Sequence, residues 1–387
     1  MIVIRTAFSS ALVALVCSAS ALAAPYSELI VFGDSLSDVG NVFAKTDIFI
    51  FEEPIPAPAY FDGRFSNGPV YSERLATALG LGALTPSIAG GKNFAHGNAM
   101  TSGTSFLESL FIDDIDDQVD DFLTSRTVDH DALFVVFAGA NDLLDGQTDV
   151  NIPVGNLITD IGRLITAGAE NLLVGNLPLL GLTPRFNGDP GQSASMSALT
   201  ESFNSALATA LDTLEASTPG VDLFRFDVAQ LITDAVANPG TFGFVNVTEP
   251  AAPGLEVDSF SYDTSLIVDQ PDTYLFWDEL HPTTAAHALL AEYALDLVTF
   301  SADFNFDGQV DGIDLAMWEA SYGVNALADA DGDGDSDGLD FLEWQGQFGS
   351  GVSAIEAVGS VVPEPNSLVI TIGSIVWGYG RRQKLRR

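Results

Sequence analysis

Two short stretches carry residues that can do covalent chemistry. The first is Leu29-Ile30-Val31-Phe32-Gly33-Asp34-Ser35-Leu36, an apolar β-branched and aromatic run that ends in a Gly-Asp-Ser turn. A buried parallel strand that leaves a sheet looks like this, and it places Ser35 at the carboxyl edge where open α/β sheets bind ligands. The second is Tyr274-Leu275-Phe276-Trp277-Asp278-Glu279-Leu280-His281-Pro282. Three positions apart, Asp278 and His281 share a face if the segment makes a helical turn. A carboxylate can then hold one ring nitrogen while the other takes a proton from a serine. Each stretch alone has a plainer reading. Gly-Asp-Ser is common turn chemistry, and an isolated Asp-x-x-His is a solvated pair at a helix start. The Ser…Asp…His order is that of α/β-hydrolases, but their G-x-S-x-G elbow is absent here.

The elements that must position these groups follow from periodicity. Strands are expected at Leu29–Phe32, Leu133–Phe137, Asn171–Gly175 and Val221–Phe226, and helices at Tyr71–Leu79, Ile158–Ala167 and Ala198–Ala216. Strands alternating with helices predict an α/β, doubly wound parallel sheet. The acidic segment 113–131 reads as a solvated amphipathic helix with Ile115, Val119, Phe122 and Leu123 inward, and it shows no metal spacing. Ile48-Phe49-Ile50-Phe51, stiffened by Pro54, Pro56 and Pro58, lines an acyl pocket or covers the core, with neither reading favoured. Residues 238–273 read as a loop excursion. His287 and His130 are expected to be structural, and His96 to pack or to contact substrate.

Together these blocks resemble the GDSL (SGNH) lipase/esterase family. The marks are Ser35 in Gly-Asp-Ser-Leu, Asn93-Phe94-Ala95-His96-Gly97-Asn98-Ala99, Gly139-Ala140-Asn141-Asp142-Leu143 and Asp278/His281. Gly63-Arg64-Phe65-Ser66-Asn67-Gly68-Pro69 and Asn176-Leu177-Pro178 extend the likeness over about residues 26–300. The resemblance implies a flavodoxin-like sheet and a Ser35–His281–Asp278 triad. It also implies oxyanion donors from the Ser35 backbone, the Gly97/Asn98 backbone and the Asn141 side chain. Asn98 stands where relatives carry a second glycine; a backbone donor survives that change, and Asn tolerates left-handed φ. The competing reading of Asn141 is a turn cap.

Across 387 residues, 47% hydrophobic content allows a large core plus appendages. The balance of 53 acidic to 14 basic residues excludes nucleic acid as a partner. Residues 1–23 read as a secretory signal containing the lone cysteine, Cys17, so no disulfide is expected in the mature chain. Residues 24–300 are the expected hydrolase domain.

Beyond it, Asp303, Asn305, Asp307, Gln309, Asp311 and Asp314 have the spacing of a calcium loop, with Gly308 at its turn. Asp329, Asp331, Asp333, Asp335, Asp337 and Asp340 repeat that loop 26 residues later, and Trp318/Trp344 and Tyr322/Phe348 repeat with it. Residues 301–350 resemble a type I dockerin, which implies a small α-helical domain holding structural calcium and a cohesin-like partner. Ser336 replaces the apolar Val310, so looser packing is expected in the second loop. After a linker at 351–362, residues 363–387 resemble a PEP-CTERM sorting tail: Pro363-Glu364-Pro365, a short apolar span and a cationic end. That implies transient membrane contact, a processing enzyme, and a working location at the cell surface or outside it.

The reading is a secreted serine ester hydrolase acting on lipid or acylated-carbohydrate esters, with no cofactor for catalysis. Carbohydrate acetylesterase or acyltransferase activity would use the same site. The rival of another class is a calcium-dependent docking component with a scaffold hydrolase domain. Ester turnover against partner capture separates the two.

Overall fold

The computed structural model describes residues 26–47, 54–103, 110–305, 309–330 and 335–349. The expected signal sequence, Ile48–Phe51, Asp307, Asp331, Asp333, the linker and the sorting tail lie outside the described residues. The elements in chain order are β1 (Leu29–Gly33), α1 (Asn41–Thr46), α2 (Tyr71–Ala78), α3 (Ile115–Ser125), β2 (Leu133–Phe137), α4 (Ala140–Leu144), α5 (Asn151–Ala167), β3 (Asn171–Gly175), α6 (Pro184–Asn187), α7 (Pro190–Glu215), β4 (Asp222–Phe226), α8 (Val228–Ala237), β5 (Asn246–Pro250), β6 (Tyr274–Phe276), α9 (Thr284–Thr299), α10 (Gly312–Ser321) and α11 (Gly338–Gln347).

β1 to β4 form a parallel sheet in the order β1-β2-β3-β4. Every residue of β1 and β2 is buried, which is why both read as unbroken apolar runs. On the free edge of β1, Val31 donates to Lys92 O (3.1 Å) and Phe94 donates back to Val31 O (2.7 Å). The chain therefore steps from β1 to residues 92–96 on one side, then to β2, β3 and β4 on the other. β1 is the switch point, and crevices for ligands open at the carboxyl ends of strands there. Phe32, Phe94, Phe122 and Phe134 pack ring on ring at 5.6–5.7 Å, fixing residues 92–96 and α3 against β1.

Three differences from the sequence reading have local causes. α7 starts at Pro190, eight residues earlier than propensity suggests. Asp189 caps it by accepting from Gly191 and Gln192, and proline suits the first helical position. The 238–273 excursion contains a strand, β5, which pairs in parallel with β6 just beyond it, a short and irregular ladder that its Pro250 disguises. The acidic helix is confined to α3, beyond which Arg126 is extended; Ile115, Val119 and Phe122 are buried as expected.

α10 and α11 exchange contacts as a pseudo-symmetric pair. Trp318 Nε1 donates to Asp337 O (2.7 Å) and Trp344 Nε1 to Asp311 O (2.8 Å). Ser336 is fully buried, and its hydroxyl accepts from the Ala328 N–H at 3.1 Å. Among the described residues no helix is long and apolar enough to cross a membrane.

Candidate active site

Gly33 ends β1 because nothing larger fits. A Cβ there would lie 2.7 Å from Phe137 O and 2.9 Å from Ser37 Oγ. The chain then folds into a tight turn in which Ser37 and Asp38 both donate to Asp34 O at 3.0 Å, and Leu36 donates to Asp34 Oδ1 at 3.0 Å. Ser35 rides on that turn. Gln118 of α3 holds the strand end from behind: its side chain accepts from Gly33 N and donates to Gly33 O, both at 2.9 Å.

His281 Nε2 lies 2.9 Å from Ser35 Oγ, and His281 Nδ1 lies 2.7 Å from Asp278 Oδ2. The Asp-His segment is not helical. Asp278 Oδ1 accepts the backbone N–H of Leu280 (2.7 Å) and of His281 (2.6 Å), while Trp277 N donates to His281 O (2.7 Å). Pro282 accounts for the correction, since the residue before a proline is pushed out of helical geometry. A second donor on Asp278 Oδ2 is the Tyr60 hydroxyl at 2.6 Å.

Burial works against the charged form of Asp278, but the His281 charge and the bonds from His281 and Tyr60 outweigh it and hold the carboxyl below its ordinary range. Burial likewise pulls His281 down, while Asp278 and Asp34 bring it above the ordinary imidazole value. Burial pushes Asp34 up to about 6, with Asp142 adding to the rise.

The structure divides the Gly97/Asn98 pair. Gly97 N donates to Asp38 Oδ2 at 2.9 Å, so it is committed, and the Gly97 Cα touches the Phe65 ring, where a Cβ would come within 2.1 Å. Asn98 takes the left-handed conformation (φ 66°), and its N–H, like that of Ser35, has no protein partner among the described residues. Asn141, the second residue of α4, spends one amide hydrogen on Ala99 O at 2.8 Å and keeps the other. Asn141 is thus not a turn cap. Ser35, Asn98, Asn141 and His281 all line one cavity of about 1010 Å³. Its apolar wall includes Val42, Ile55, Phe65, Met100, Phe111 and Leu255. Ile48–Phe51, to which the two readings of the proline loop apply, lie outside the described residues; further along the segment Ile55 lines the cavity, and Ala57 and Tyr60 pack on Ala251, Leu255 and Trp277.

Sequence reading missed the groups that hold this set together. Asp38, fully buried, accepts from Gly40 and Asn41 at 2.7 Å, Val42 at 3.2 Å and Gly97, tying the start of α1 to the 93–98 loop. Asn41 Nδ2 bonds Asn93 O (2.8 Å) and Ala95 O (2.9 Å), and Asn93 Nδ2 bonds Ser37 O (2.7 Å). A Gly-Asn step after an acid was the one available signal for Asp38. Tyr60 had none.

The remaining histidines pack or lie outside the site. His287 is buried, accepts from Tyr71 N (3.2 Å) and is pushed down to about 3 by burial. His96 is buried with Nδ1 2.9 Å from Phe94 O. His130 is exposed beside Asp131.

Residues 29–294 match the family model described as GDSL-like Lipase/Acylhydrolase. The chain is 27% identical over 334 residues to the phosphatidylcholine-sterol acyltransferase of Aeromonas hydrophila, covering 76% of this chain and 96% of that one. It is 31% identical over 325 residues to esterase EstA of Pseudomonas aeruginosa, covering 71% of this chain and spanning 47% of EstA. Among solved structures, a lipolytic protein of the G-D-S-L family from Veillonella parvula aligns over 70% of this chain and 97% of its own, with 13% identity and a TM-score of 0.39.

Proposed function

We propose that this chain, which belongs to the GDSL-like lipase/acylhydrolase family and is a carboxylic ester hydrolase, works as an exported serine esterase with Ser35 as its nucleophile. The observation that carries the reading is the line of hydrogen bonds Ser35 Oγ–His281 Nε2 and His281 Nδ1–Asp278 Oδ2, at 2.9 and 2.7 Å. His281 takes the hydroxyl proton as Ser35 attacks the ester carbonyl, and Asp278 orients the ring and stabilises the imidazolium. The carbonyl oxygen gains negative charge facing the N–H groups of Ser35 and Asn98 and the free amide hydrogen of Asn141. His281 then gives its proton to the leaving alcohol, and water, activated by the same imidazole, releases the acyl group.

Lipid esters and acylated carbohydrates both suit a cavity of this size with one apolar wall. The Aeromonas relative, named for acyl transfer to a sterol, favours a second reading in which an alcohol replaces water in the last step. The leader and tail motifs support export and retention near the cell surface.

For the C-terminal repeats we read structural calcium. The carboxylates of Asp335, Asp337 and Asp340 offer oxygens within 4.8 Å of one another, an all-oxygen set that fits a hard cation. The equivalent residues of the first loop are Gln309, Asp311 and Asp314, with Asp314 fully buried.

The test is turnover of acyl esters of graded chain length by the parent and by Ser35→Ala. The variant is expected to fold and to lose hydrolysis at every length. Undiminished turnover by folded Ser35→Ala sinks the reading.

A further inference from the structure

Tyr60 sits on the proline loop, 218 residues from Asp278 in sequence, yet its hydroxyl donates to Asp278 Oδ2 at 2.6 Å. That oxygen is the same one that accepts from His281 Nδ1. The contact is built and enclosed. Ala57 N bonds Val257 O (2.7 Å), while Ala251 and Ala252 N bond Phe276 O and Trp277 O at 2.9 and 2.8 Å. Three distant segments are thereby laced around the carboxylate. The Tyr60 and Phe65 rings flank His281 at 6.5 and 5.4 Å.

We propose that Tyr60 is a positioning residue that sets the basicity of His281 through Asp278. Resting on the triad reading above, the argument is one of shared charge. A carboxylate oxygen with a single donor places its full charge on the imidazolium, which then holds its proton tightly and gives it up slowly to a leaving alcohol. A second, charge-assisted donor withdraws part of that charge and fixes the carboxylate plane. Burial and the Asp278 charge push the Tyr60 hydroxyl far above its ordinary value, so it remains a donor throughout the working range. Other ionisable groups face the pair. Asp34 in the nucleophile turn, Arg185 of α6 and His287 of α9 act on His281, and Glu256 and Asp258 of the covering segment act on Tyr60. All of them stay in place when only the hydroxyl is removed.

The experiment is the pH profile of kcat/KM for a small ester in the full-length parent, Tyr60→Phe and Tyr262→Phe. Tyr262 packs on the same cluster, but its hydroxyl bonds Pro253 O and not Asp278. A hydrogen bond to a charge lost in part to the imidazole predicts an acid limb about 0.5–1 pH unit higher in Tyr60→Phe, with KM unchanged and with Tyr262→Phe at the parent position. As a second measurement that keeps the hydroxyl, 3-fluorotyrosine placed at position 60 alone acidifies that hydroxyl and moves the limb to lower pH. Acid limbs that coincide in parent, Tyr60→Phe and labelled protein overturn the inference. Active Ser35→Ala would instead remove the triad itself. Inactive Ser35→Ala with an unshifted Tyr60→Phe removes only the role of Tyr60.

Discussion

Asp34, next to the nucleophile, is 3% exposed, and burial above all pushes its carboxyl up to about 6 from an ordinary 3.8. Each pH unit between those values is worth about 1.4 kcal/mol between protonation states. Ionised Asp34 therefore costs the folded state about 3 kcal/mol relative to the unfolded chain. For a carboxyl raised on folding, the sign is opposite to that of a salt-bridged aspartate: its stability contribution is complete below pH 3.8 and is lost as pH rises through 6. Asp34→Asn keeps an oxygen to accept from Leu36 N and removes the titration. Urea unfolding of parent and variant at pH 4 and pH 8 reads this group together with its coupling to His281 and Asp142, because the carboxylates not coupled to it cancel in the difference. The variant is expected to gain about 2–3 kcal/mol on the parent between those pH values. Removing the Asp34 charge also withdraws support from the His281 imidazolium, so the acid limb of kcat/KM should fall, the reverse of Tyr60→Phe. Parent and variant differing by a constant amount at both pH values would refute the burial argument.

Two further outcomes are expected. Asn141→Ala should lower kcat by roughly 10²–10³-fold with little change in KM, the cost of one oxyanion donor, and a loss confined to KM would make Asn141 a substrate-binding residue. In calorimetry of the full chain, chelator should melt the α10–α11 repeats early and leave the hydrolase transition in place, because metal-binding free energy there is folding free energy; superimposable scans would reduce the repeats to an acidic spacer.

The legible part of this site was the part made by short-range geometry. β1 and β2 announced themselves because full burial demands unbroken apolar runs, and Ser35, Asn141 and His281 each follow such a run or turn closely. What sequence could not supply was the partner across space. The Gly97 N–H is taken by Asp38, 59 residues away, and Asp278 accepts from Tyr60 of another segment altogether. The Asp-x-x-His spacing was read correctly for the wrong reason, and the difference matters mechanically. In a helix the His281 N–H would bond back to Trp277 O, leaving Asp278 to reach the ring alone. In the loop, Asp278 grips both the backbone N–H and Nδ1 of His281, at 2.6 and 2.7 Å, while Trp277 N bonds His281 O. One carboxylate thus fixes the position of the residue and the plane of its ring together. Nε2 is left with one free direction, and that direction holds Ser35.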